Sequence, residues 1–266
     1  MDETATAVKP DAALFQRSDE GPIAILTLNR PRQFKALSGA LLETLQAALD
    51  GLARDERVRA VILTGAGPAF CAGHDLKEMR ALPSQAEVEA LFARCSAVMR
   101  SLVALPQPVI AAVNGLATAA GCQLVAQADL AVASRDARFA VSGINLGLFC
   151  STPAVALSRN LGRKRAAEML FTGDFIDADT ALDWGLVNRV EPAERVMESA
   201  LDLANKLVAK PRDSLAMGKA LFYRQLEASL AAAYDDASRT IACNFATPSA
   251  KEGVAAFREK RPPNWD

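Results

Sequence analysis

The sequence predicts an α/β core followed by an all-helical end. Three observations carry that expectation. Short apolar, β-like runs alternate with helical patterns from residue 23 to about residue 190. From Pro192 onward the remaining patterns are helical, with sparse glycine and no strand-like alternation. Midway, Ala119-Ala120-Gly121-Cys122-Gln123-Leu124 opens a helix with small residues directly after an apolar run and a turn. The division falls near residue 195: a core over residues 1–195, its first 16 a mobile lead-in, and a helical region over 196–266.

In chain order, Ile23 to Leu28 read as a strand stopped at Asn29-Arg30-Pro31. Ser38 caps a helix with apolar positions Leu41, Leu42, Leu45 and Leu49. Residues 58–64 form a second strand, closed by Gly65-Ala66-Gly67-Pro68. Asp75 caps a helix after the small-residue turn Phe70-Cys71-Ala72-Gly73. Leu91, Phe92, Cys95, Val98, Met99 and Leu102 mark a largely buried helix. Val109 to Val113 lead through Asn114-Gly115 into the small-residue helix start. Residues 129–133 and 138–141 read as strands, followed by a loop over 142–147. Thr152-Pro153 reads as cap and first residue of a helix, residues 164–171 and 177–184 as two more, and 186–190 as a strand. Four helices complete the chain at 196–209, 211–226, 230–245 and 249–260.

Composition narrows the function. The 266 residues are 51% hydrophobic, enough for a large core. A net charge of −1 leaves no global basic footprint for nucleic acid. No apolar run approaches the roughly 20 residues that span a membrane, and the N-terminus lacks the pattern of a secretory signal. The five cysteines are scattered and without metal-like spacing, which suits free thiols in a reducing compartment. His74 is the single histidine, so a Ser-His-Asp or Cys-His mechanism would have to run through it, and no metal centre is expected.

Two stretches carry candidate chemistry. A helix start has N–H groups without intrahelical partners and partial positive charge. At Ala119 to Leu124 small side chains would let a ligand oxygen approach those groups, a pocket for developing negative charge; tight packing is the alternative. The turn before Asp75 has the same character, with Lys77 placed to meet a phosphate or carboxylate; a capped surface helix is the alternative.

These motifs together resemble the crotonase superfamily, also called the enoyl-CoA hydratase/isomerase family. The resemblance runs from Ile23 to Trp265 and rests on Asn29-Arg30-Pro31 with Ala36-Leu37-Ser38, on Phe70 through Met79, on Asn114 through Leu124, on Phe139 through Gly147, on Leu170-Phe171-Thr172-Gly173, and on Glu252-Gly253 with Ala256-Phe257. The segment Gly147 through Pro153 is similar to a subgroup, the enoyl-CoA hydratase domain-containing proteins. The resemblance implies a spiral of ββα turns with C-terminal helices used in trimerisation, trimers commonly pairing into hexamers. It implies a lyase or isomerase of fatty-acid metabolism acting on an acyl-CoA thioester, with no cofactor beyond the CoA moiety. The backbone amides of His74 and Ala120 would form an oxyanion hole for the thioester carbonyl. CoA would lie along Lys35, Ala36 and Leu37 and along Ala72, His74, Asp75, Leu76 and Lys77, with Lys260 reaching the nucleotide.

The sequence departs from the family's hydratases at both glutamates that handle water. Gln123 and Gly143 occupy those positions. A glutamate of tuned pKa moves a proton, worth roughly 10²–10⁴-fold in rate, whereas a glutamine amide holds water or carbonyl without doing so. The usual hydration mechanism is therefore unsupported. Thioester hydrolysis, decarboxylation or non-catalytic acyl-CoA binding are the alternatives. Among neighbours, the His74 side chain has suitable acid–base chemistry, but the family uses its position for a backbone N–H, and a partly exposed, structural histidine is the alternative. Asn145 and Ser142 read as loop caps, Cys150 as a small buried thiol, and Glu78 as a solvated charge in a first helical turn.

Overall fold

A computed structural model describes residues 14–30 and 33–265. Two sheets organise it. The larger holds β1 (Phe15–Glu20), β2 (Ile23–Leu28), β3 (Ala60–Gly65), β5 (Val109–Val113), β7 (Leu130–Ser134) and β10 (Arg189–Glu191), in the spatial order β1-β2-β3-β5-β7-β10. The smaller runs β4 (Ala69–Cys71), β6 (Leu116–Thr118), β8 (Arg138–Ala140), β9 (Ile176–Asp177). Pairing is parallel except for β1 with β2 and β8 with β9.

The chain advances by a repeated unit: a strand in the large sheet, a strand in the small one, then helix. β3 and β4 lead to α2 (Leu76–Ala81) and α3 (Gln85–Ala104); β5 and β6 lead to α4 (Ala120–Gln127); β7 and β8 lead to α5 (Ser151–Asn160). This is the expected ββα spiral. α1 (Gly39–Leu52) packs against α3, and α6 (Arg163–Thr172) and α7 (Ala178–Trp184) complete this side.

Alternation in the central strands explains why both faces of the large sheet are apolar. Val61 and Leu63 of β3, with Val109, Ala111 and Val113 of β5, face the core shared with the helices. Ile62, Ile110, Ala112 and Val132 face the other way and are covered by Val196, Ala200 and Ala204 of α8 (Val196–Val208). α9 (Arg212–Gln225), α10 (Leu230–Phe245) and α11 (Pro248–Glu259) follow. α10 buries none of its residues, and Phe222, Leu226, Leu230, Tyr234, Ile241, Phe245 and Phe257 are exposed. α9 is tied down by one polar network: Lys219 Nζ donates to Leu102 O, Gln107 O and Asp129 Oδ2, while Tyr223 donates to Asp129 Oδ1 at 2.7 Å. Among the described residues no helix is long and apolar enough to cross a membrane.

Several sequence expectations need correction. Of the lead-in expected over residues 1–16, 1–13 lie outside the described residues, but Phe15 and Gln16 belong to β1, recruited by antiparallel pairing with β2. Residues 142–146 form a 3-10 helix, ended by Gly147 at φ 75°, rather than an open loop. α5 begins at Ser151 after Cys150, so Thr152 lies inside the helix and caps nothing. The strand expected at 186–190 is Arg189–Glu191, because Gly185 to Val187 instead fold back by amide bonds onto Ala181 and Leu182. Glu78 is not a solvated charge: both carboxylate oxygens accept from Gly39 N at 3.0 and 3.1 Å, joining α2 to the start of α1.

Candidate functional site

The loops before α2 and α4 are brought together by backbone contact that admits no bulk. A Cβ added to Gly73, which sits at φ +89°, would lie 2.8 Å from Ala119 Cβ, 3.0 Å from Thr118 O and 3.3 Å from Ala120 N. A Cβ on Gly121 would strike the Cys71 carbonyl, so α4 packs directly on the end of β4. Thr118 Oγ1 donates to Ala72 O at 2.9 Å and Ala119 N donates to Ala140 O at 2.9 Å, fixing the junction from both sides. Ala119 pays for this geometry in strain, with φ 49° and ψ −119°, a conformation that favours glycine.

Two amides adjoin this junction in the chain. Ala120 is the first residue of α4, where an N–H has no intrahelical acceptor. His74 forms a parallel bridge with Leu37, but that bridge uses Leu37 N to Gly73 O at 2.7 Å and Asp75 N to Leu37 O at 3.2 Å. The N–H of His74 therefore points to the opposite side. Asp75 then caps α2, accepting from Lys77 N and Glu78 N, and pairs with Arg30 at 3.0 Å. Partial burial pushes the Asp75 carboxyl up, but Arg30 and the two capping amides outweigh it and hold it below the ordinary range.

The side chains around the junction are buried and sparsely bonded. The His74 ring meets Phe92 of α3 edge-on, with centroids 4.9 Å apart. Neither ring nitrogen has a hydrogen-bond partner. Burial lowers the His74 pKa, opposed by the nearby Leu37 backbone, so the imidazole is neutral at pH 7. Gln123 is 3% exposed and its Oε1 is likewise unpartnered. Gly143 has no room for a side chain: a Cβ would lie 2.6 Å from Leu148 O and 2.7 Å from Cys150 Sγ. Burial raises the Cys150 thiol against the amide of Gly143, and burial pushes Cys122 up to about 12, so both are neutral thiols.

The sequence profile described as enoyl-CoA hydratase/isomerase matches residues 18–266. The chain belongs to the enoyl-CoA hydratase/isomerase family. It is 45% identical over 249 residues to the mitochondrial enoyl-CoA hydratase domain-containing protein 3 of Rattus norvegicus, covering 94% of this chain and 83% of that protein. It is 35% identical to a short-chain-enoyl-CoA hydratase of Clostridium acetobutylicum, over 91% of this chain and 93% of that one. Among solved structures, an enoyl-CoA hydratase from Mycobacterium smegmatis superposes with TM-score 0.94 at 60% identity, covering 96% of this chain and 99% of the other. The human enoyl-CoA hydratase domain-containing protein 3 superposes with TM-score 0.91 at 42% identity, covering 95% and 100%. The fold is thus the crotonase fold, and the motif-based resemblance holds at both family and subgroup level.

Against that family background, the residues expected along CoA divide in two. The N–H groups of Lys35, Ala36, Leu37 and Ala72 are already donated, to Arg30 O, Gln33 O, Gly73 O and Phe34 O. These residues shape the loop; the Ala36 carbonyl already accepts from Arg30 and Ser38 N, while the carbonyls of Lys35, Leu37 and Ala72 each accept one bond and keep a second lone pair for a ligand. Leu76 and Lys77, next in the chain, are exposed; Lys260, the C-cap of α11 at φ 56°, is exposed as well. Asn145 Nδ2 donates at 3.5 Å to the carbonyl of Gly173, the C-cap of α6, rather than to its own loop as expected. Three features escaped sequence reasoning: Phe92 against His74, the Glu78 bond to α1, and Lys35, whose side chain is fully buried with Nζ unpartnered. The first and last have a signal in hindsight, an aromatic on the buried stripe of α3 and a lysine between apolar neighbours.

Proposed function

We propose that this protein binds acyl-CoA thioesters and stabilises an enolate-like oxygen between the amides of His74 and Ala120. The observation that carries this is the contact of Gly73 with Ala119 and Ala120, which sets two acceptor-free amides beside one junction. Preorganised donors of this kind are worth roughly 3 kcal/mol of barrier each in a site with little water. CoA lies along the loop of Lys35, Ala36 and Leu37, taking its polar contacts from the carbonyls of Lys35, Leu37 and Ala72, then past His74, Asp75 and Leu76 to Lys77 and Lys260. The relatives' names support an enoyl-CoA substrate, and the mitochondrial ones a reducing compartment.

Gln123 and Gly143 argue against ordinary hydration, because neither can accept a proton from water. Decarboxylation, which uses the oxyanion hole and takes no proton from water, fits these residues better than hydration does, whereas thioester hydrolysis would again need a base for its water. A panel of short CoA thioesters assayed for turnover, beside calorimetric binding, tests this. Hydration of crotonyl-CoA on the order of 10 s⁻¹ or faster would refute it. Binding without any turnover would assign the protein to a regulatory or carrier role.

The exposed apolar residues of α9, α10 and α11 support residues 196–266 as an oligomerisation region forming a trimer, or a dimer of trimers. Light scattering at micromolar concentration tests that; a monomer would exclude it.

A further inference from the structure

One guanidinium spans both sides of the Leu37–His74 bridge. The Gly73 carbonyl and the His74 N–H belong to one trans peptide, so they point in opposite directions from one plane. Whatever holds that carbonyl therefore aims that N–H. Leu37 N holds it, donating to Gly73 O at 2.7 Å, and Asp75 N returns a bond to Leu37 O at 3.2 Å. Two bonds are little for the segments they join. The first passes through Phe34 and Lys35 at φ 48° and 56°, a region that side chains disfavour, and the second through Gly73 at φ +89°.

Arg30 clamps the pair from outside. Its Nη1 donates to Ala36 O at 2.6 Å and its Nη2 to Asp75 Oδ2 at 3.0 Å. Ala36 and Asp75 are the chain neighbours of Leu37 and His74, one on each side of the bridge. The Arg30 carbonyl also accepts from Gln33 N at 3.1 Å and Lys35 N at 2.9 Å, closing the left-handed turn. At 15% and 17% side-chain exposure, Arg30 and Asp75 are not a solvated surface pair. A planar fork with donors on two nitrogens suits two acceptors on separate segments, where an ammonium offers a single point of charge. We propose that Arg30 is a positioning residue for the oxyanion site: it holds the Leu37–His74 bridge in register and so fixes the direction of the His74 N–H. This rests on the reading above that this amide serves the thioester oxygen, and adds to it the side chain that aims it.

Calorimetry with butyryl-CoA and S-butyl-CoA tests the assignment on the intact protein. The thioether has a methylene in place of the carbonyl, so the ratio of the two Kd values reads the bonds to that oxygen and cancels losses common to both ligands. The wild-type protein should bind butyryl-CoA about 10-fold or more tighter, the range of two neutral hydrogen bonds. Arg30→Met keeps the apolar stem, removes both side-chain bonds and should bring the ratio to within about 3-fold of unity. Asp75→Ala cuts the span at its other end and should do the same, with the double variant falling no further than either single one. Glu78→Ala frees α2 from Gly39 but leaves the span intact, so it should keep the wild-type ratio. A ratio that survives Arg30→Met and Asp75→Ala while both Kd values rise overturns the proposal, leaving Arg30 a support of the loops alone. A ratio lost as fully in Glu78→Ala overturns it too. A wild-type ratio near unity removes the oxyanion role of the amides, and this inference with it, but leaves CoA binding standing. Binding of neither ligand removes the thioester reading altogether.

Discussion

Adding one methyl group at Gly143 should destabilise the protein far more than a surface substitution would. In Gly143→Ala the new Cβ would meet Leu148 O at 2.6 Å and Cys150 Sγ at 2.7 Å, both inside contact distance. The Leu148 peptide cannot easily retreat, because its N–H is bonded to Gly143 O at 3.0 Å. Gly147 N is bonded to Ile144 O in the same turn. Overpacking of this kind costs about 2–3 kcal/mol, which for a chain of this size corresponds to about 4–12 °C in Tm. Thermal unfolding followed by circular dichroism measures it. Adding Cys150→Ala should recover only part, because the sulfur contact goes and the carbonyl contact stays. An unchanged Tm for Gly143→Ala would refute the claim that this turn is closed. The same sterics bear on a two-carboxylate graft. Gln123→Glu with Gly143→Glu should yield no hydration, since the second carboxylate has no place to stand while residues 147–150 keep their course.

Further expectations concern the strained and unpartnered residues. Ala119→Gly relieves a conformation that disfavours side chains and should stabilise by about 1 kcal/mol after the entropy of the added glycine, read from a shifted urea midpoint at constant slope. His74 has a lowered folded-state pKa, so the unfolded chain binds more protons below the unfolded value of about 6.5. Stability should therefore fall as pH drops through that value, and urea titrations of His74→Phe at pH 5.5 and 7.5 should lose this component. Lys35→Met replaces a fully buried amine without a partner and should stabilise by about 1–3 kcal/mol at neutral pH. Burial lowers the Lys35 pKa, so the wild type should gain stability relative to Lys35→Met as pH rises toward the unfolded value near 10.4. Lys219→Met removes the cation from Asp129, at 17% side-chain exposure, leaving it Tyr223 and Val109 N as donors, and should cost about 3 kcal/mol, with amide exchange in α9 accelerating first.

The central strands and the capped helices were legible because they follow local rules. Ile23 to Leu28 and Val109 to Val113 are apolar runs buried on both faces, and Ser38, Asp75 and Asp177 cap where their side chains predict. The two loops that meet before α2 and α4 were legible from glycine and alanine placement. What stayed hidden is set by partners distant in sequence. β4 and β6 are three residues long, too short to show a period, and exist because they pair with each other and with β8. β1 carries Arg17, Asp19 and Glu20, a composition no strand rule selects; it is an edge strand held by β2. The closure around Gly143 depends on Leu148 and Cys150 folding back over it, which no spacing encodes. The orphaned amine of Lys35 likewise follows from loop packing against Gly67 and Cys71.

The single cover over the outer face of the large sheet has a consequence for biosynthesis. Ile23, Ile62, Ile110 and Val132 are sealed only when α8 arrives, and α8 ends at Val208, well after β7 ends at Ser134. At ordinary elongation rates the four strands wait about 4–15 s for that helix. Through this interval a nascent chain presents a flat, apolar sheet surface to its surroundings. Ribosome-bound chains halted before α8 emerges should therefore engage hydrophobic chaperones, and chains halted after it should release them.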